Sequence, residues 1–112
     1  MIQLTGIDGG AGIVLQGPET DALVAECLAA FAKGSIAALY DLGVAFSTGS
    51  HGAACDLVEA HKWFNIAAAR GHEEAAWCRA DVSEEMTARE IAEAQRRARA
   101  WLKVDAVECR AA

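Results

Sequence analysis

Apolar residues recur along most of this chain at the spacing of an α-helix. Val24, Cys27, Leu28 and Phe31 stand at i, i+3, i+4 and i+7, which places a helix over about 19–33. Pro18 suits the first helical position, Glu19 and Asp21 suit the positive N-terminal dipole, and Gly34 supplies the stop. A second helix is expected over about 35–48, with Ala38, Leu42 and Phe46 on one stripe, before Gly49-Ser50-His51-Gly52 breaks it. Asp56 is placed to cap a third, whose stripe is Ala60, Trp63, Phe64, Ala67 and Ala68 and whose end is Gly71. A fourth follows over about 72–81. Thr87-Ala88-Arg89-Glu90 has the form of a capping box and opens a fifth, with Ile91, Ala94, Ala98, Trp101 and Leu102 inward over about 88–102.

Residues 1–17 read differently. They hold five of the ten glycines, and Ile2 and Leu4 could pair with Ile13 and Leu15 as a short hairpin across Asp8-Gly9-Gly10; a mobile tail is the alternative. The chain therefore divides into this Gly-rich segment and a helical domain over 18–112. No Gly-Lys-Ser/Thr follows the glycines, so a phosphate loop is not expected.

Composition sharpens the picture without changing it. At 112 residues, 54% hydrophobic and 23% charged, one domain can bury a core. A single proline, 6% aromatics and abundant alanine favour an all-α fold whose helices meet through small side chains. The net charge of −6 argues against nucleic acid as a partner, and no apolar run reaches the roughly 18 residues that span a bilayer. Met1-Ile2-Gln3-Leu4-Thr5 lacks the positive start of a secretory signal, so a cytoplasmic protein is expected. The four cysteines, Cys27, Cys55, Cys78 and Cys109, are far apart and read as reduced thiols.

The chain repeats itself. Ala32-Lys33-Gly34 and Ala69-Arg70-Gly71 lie 37 residues apart, followed by Ala38-Leu39-Tyr40 and Ala75-Ala76-Trp77 in the same register. The run Ala38, Leu42-Gly43, Phe46, Gly49, Asp56, Ala60, Trp63, Ala67-Ala68, Gly71 and Ala75 resembles one complete Sel1-like repeat, a relative of the tetratricopeptide repeat. After Ala75 the pattern departs: Arg79 and Ala80 stand where Leu-Gly is expected. The resemblance implies a short α-solenoid of helix pairs, in which Gly43 lets paired helices close up and Trp63 and Phe46 fill the space between them. It implies a non-enzymatic adaptor for another protein or peptide, needing no cofactor, and chains of this Ala/Arg-rich kind look bacterial. In such repeats the first helix of each pair lines the binding surface, which selects Tyr40, Val44, Trp77 and Asp81 as partner-binding residues. A solenoid usually needs about three repeats, so the first and fifth helices are expected to cap the two ends; an open end forming a homodimer is the runner-up.

Chemistry-bearing residues are sparse. His51, Cys55 and His61 suggest a metal- or ligand-binding regulatory module, although His51 lies in a loop, His61 is expected on the polar side of its helix, and the spacing fits no standard closed zinc site. Cys55 with either histidine lacks an orienting group for nucleophilic catalysis. Glu73-Glu74 and Glu84-Glu85 are adjacent on helices and do not face one another, so they are poor acid–base pairs. Residues 1–95 carry 5 Lys/Arg against 14 Asp/Glu, a balance of −9, whereas residues 96–112 carry 5 against 2, a balance of +3. The cations Arg96, Arg97, Arg99 and Lys103 suit a helix C-terminus and also form a potential docking patch.

Overall fold

A computed structural model describes residues 18–50 and 53–111, with side chains described over 20–50 and 53–106. The expected hairpin or tail over 1–17, and His51, lie outside the described residues.

The described chain is all-α: α1 (Pro18–Ala32), α2 (Ala37–Thr48), α3 (Leu57–Ala69), α4 (Glu73–Ser83) and α5 (Ala88–Ala111). Local chemistry sets the ends. Asp56 Oδ1 accepts hydrogen bonds from the backbone N–H groups of Val58 and Glu59, at 3.1 and 3.2 Å, which satisfies two orphan donors at the start of α3. The capping box of α5 is reciprocal. The backbone N–H of Thr87 donates to Glu90 Oε1, and that of Glu90 donates to Thr87 Oγ1. The α5 helix runs to Ala111, past the expected end near residue 102.

The turns at Gly34 and Gly71 are copies of one another. Both glycines have left-handed backbone, with φ of 106° and 101°. Ser35 N–H bonds to Ala30 O and His72 N–H to Ala67 O, each at 3.0 Å, while each glycine N–H bonds to the residue three before it. The same Schellman closure thus recurs 37 residues apart, as the sequence alignment required.

Packing centres on α3, which meets α2, α4 and α5; α1 packs on α2. Leu39, Leu42 and Phe46 of α2 are fully buried against Phe64 and Ile66 of α3, and Ala60, Ala67, Ala94 and Ala98 are fully buried with them. A Cβ on Gly43 would lie 2.5 Å from Cδ1 and Cε1 of Phe64, so only glycine lets the ring sit there. The last turn of α1 also reaches α5, where the Phe31 and Trp101 rings lie 5.7 Å apart. The two helices expected as opposite end caps therefore meet at one corner, beside α3.

Candidate functional site

The residues selected as partner-binding divide into two kinds. Tyr40 and Val44, on α2, are half-buried and pack against the core. Trp77 and Asp81, one turn apart on α4, are exposed; Trp77 is 71% accessible. Since α4 lies along α3 and touches α2, all four belong to neighbouring helices, with Tyr40 marking the junction. Its ring stacks on His72 at 4.6 Å with planes 13° apart and tilts against Phe64 at 5.8 Å. Cys78 Sγ donates to its hydroxyl oxygen at 3.8 Å. That hydrogen bond and the local burial raise the phenol pKa above its ordinary value, and the Glu74 and Asp41 carboxylates push it the same way. His72 is held in place because its Nδ1 accepts from Ala75 N–H and caps α4.

The surface around Trp77 is acidic and unneutralised. Asp41, Glu73, Glu74, Asp81 and Glu84 are exposed, and none forms an ion pair among the described residues. Arg79, the cation of α4, is turned to α3, where it donates to Asn65 Oδ1 at 2.7 Å. The carboxylates facing α5 behave in the opposite way. Arg97 bridges Glu93 and Glu59, both at 2.7 Å, and Arg70 pairs with Asp105. Arg96 closes a two-pronged pair with Glu93, which holds that carboxyl down at about 2. Two of the four cations in the sequence cluster are thereby occupied by their own helix and by α3.

His61 is a correction to the sequence reading. It is 2% exposed rather than on a polar face, because α3 is covered from three sides and has no broad face left for water. Its Nδ1 has no hydrogen-bond partner among the described residues. Desolvation, and secondarily the Arg79 charge, lowers its pKa below the ordinary 6.5. Cys55 is exposed and its thiol donates to Ser47 O at 3.6 Å. Among the described residues no group of three metal-ligating side chains converges. Cys27, Cys55 and Cys78 are free thiols.

Sequence reasoning missed the stacking of His72 on Tyr40 and the Glu59–Arg97 link. A signal for the first existed: His72 immediately follows Gly71, the N-cap position of the next helix. No helix is long and apolar enough to cross a membrane among the described residues. Comparison with protein families, curated proteins and solved structures finds no match.

Proposed function

We propose that this chain is a non-enzymatic adaptor of the Sel1-like, helical-repeat kind, which docks another protein or peptide on the outer face of α2 and α4. The observation that carries the reading is Trp77. With 71% of the residue in water, on the order of 150 Å² of mostly apolar surface is left uncovered, worth about 3 kcal/mol to whatever covers it. In this reading the half-buried Tyr40 and Val44 of α2 supply an apolar floor and the exposed Asp81 a charged rim, an arrangement suited to an interface anchor.

The duplicated turns at Gly34 and Gly71 and the approach of Phe64 to Gly43 support the repeat reading. The same resemblance carries a bacterial setting, and the free thiols Cys27, Cys55 and Cys78 fit a cytoplasmic one. The alternative of a metal- or ligand-binding module on His51, Cys55 and His61 draws less support, since His61 is enclosed and Cys55 lies on the surface.

Capture from a lysate of the source organism tests the docking face, using wild type against Trp77→Ala and Trp77→Ala/Asp81→Ala. Both positions are exposed, so folding stability should move by less than about 0.5 kcal/mol per site. A protein held by wild type and depleted at least about tenfold by the double variant is the expected result. Equal retention by wild type and both variants would remove the docking face from α4.

A further inference from the structure

Among the described residues two large hydrophobic side chains are exposed, Trp77 and Val104 at 71% and 58%. Each lies in a charged stripe, and the two stripes have opposite sign. On α4 and its C-cap the outward residues are Glu73, Trp77, Ala80, Asp81 and Glu84, at helical spacing and all exposed. On α5 the outward residues are Arg96, Arg99, Ala100, Lys103 and Val104, again at helical spacing and all exposed. At 1.5 Å per residue the stripes are about 16 and 12 Å long, so each can cover the other.

We propose that the α4 stripe of one molecule binds the α5 stripe of a second copy of this chain. Trp77 and Val104 supply the apolar centre, with carboxylates and cations set around it. Glu73, Asp81 and Glu84 are without ion pairs among the described residues, and so are Arg99 and Lys103. Both stripes face solvent, and α4 and α5 each pack on α3 rather than on one another, so they do not neutralise each other within one molecule. Because each copy carries a net charge of −6, the attraction is confined to the facing stripes and acts at short range. A single helix-on-helix contact is at the small end of interfaces, which sets the dissociation constant at about micromolar or weaker. The inference stands apart from the docking of another protein, because its occupant is this chain's own α5. Trp77 and Asp81 belong to both surfaces, so self-association covers part of the docking face.

Sedimentation equilibrium of the purified full chain, from about 10 μM to about 1 mM, tests this at low and high salt. The expected result is concentration-dependent association that high salt weakens. Asp81→Lys/Glu84→Lys and Arg99→Glu/Lys103→Glu should each weaken it at least about tenfold, and all four together should restore it to within about threefold. Trp77→Ala, which leaves every charge in place, should also weaken it. Circular dichroism verifies that the variants are helical, and Lys103→Gln replaces any reversal that is not. A monomeric wild type throughout the range overturns the proposal. So does association that neither reversed pair weakens, or a four-fold variant that stays monomeric. Because only one purified chain is present, these outcomes are independent of whether a lysate protein binds the same face.

Discussion

The contacts that α3 makes with α2 and with α5 are built from opposite chemistry. Against α2 the contact works by omission. Gly43 has no side chain, so the Phe64 ring occupies the space a Cβ would need, and the surrounding residues are alanine, leucine and phenylalanine. Against α5 the fully buried Ala94 and Ala98 are flanked by large and charged groups. Trp63 meets Trp101 edge-on at 5.7 Å, Glu59 reaches Arg97, and Arg70 reaches Asp105. The first arrangement is intolerant of volume, since interiors are packed at crystal density. The second is tolerant along its rim, because ring edges and long side chains that are partly exposed there can shift. One helix therefore carries a rigid seam and an adjustable one.

Adding volume at the rigid seam should do the most damage. Gly43→Val places branched carbons where Phe64 sits, and the loss should be at least about 3 kcal/mol, despite valine being a better helix former than glycine. Pairing it with Phe64→Leu should recover part of that loss. Chemical denaturation of the single and double variants measures both, and a Gly43→Val protein as stable as wild type would remove the distinction between the seams.

Removing volume at the adjustable seam should cost less. Trp101 is half-buried, with one ring neighbour from α1 and one from α3, so Trp101→Ala should lose about 2 kcal/mol. A loss equal to that of Gly43→Val would show the α5 seam to be just as rigid.

The smallest effect concerns pH and belongs to the side of α3 where Arg79 stands. His61 has a lowered pKa in the folded chain, so as pH falls the unfolded chain takes up the proton first. Stability from this group is complete above about 6.5, the unfolded value, and declines as the pH drops below it. His61→Leu should flatten the stability profile between about pH 7 and 5, and should be near neutral at pH 7 because the imidazole Nδ1 has no partner to lose. An unchanged slope in that variant would assign the pH dependence to the carboxylates instead.

The sequence by itself determined where helices begin and where α1, α2 and α3 end, whereas α5 runs to Ala111, past its expected end near residue 102. Asp56, the Thr87–Glu90 box and the glycines at 34, 49 and 71 act on backbone groups within a few residues of themselves, so their effect is present in the local chain. The inward stripes were legible for the same reason: Leu42, Phe46, Ala60, Trp63, Phe64, Ala67, Ala94 and Ala98 are all buried. The repeat resemblance also implied a close helix approach at Gly43, where Phe64 closes on it.

Tertiary structure alone decided what depends on how many neighbours a helix has. A face reads as polar on a helix covered from one side, but α3 is covered by α2, α4 and α5, and so His61 and Ile66 went inside. The same holds for charge. Glu59 and Arg97 lie 38 residues apart and meet only because α5 folds back on α3, while the carboxylates of α4 form no ion pair among the described residues. Hydrogen bonds and turns are short-range and can be read along the chain, whereas burial and ion pairing belong to surfaces that exist only once the helices have met.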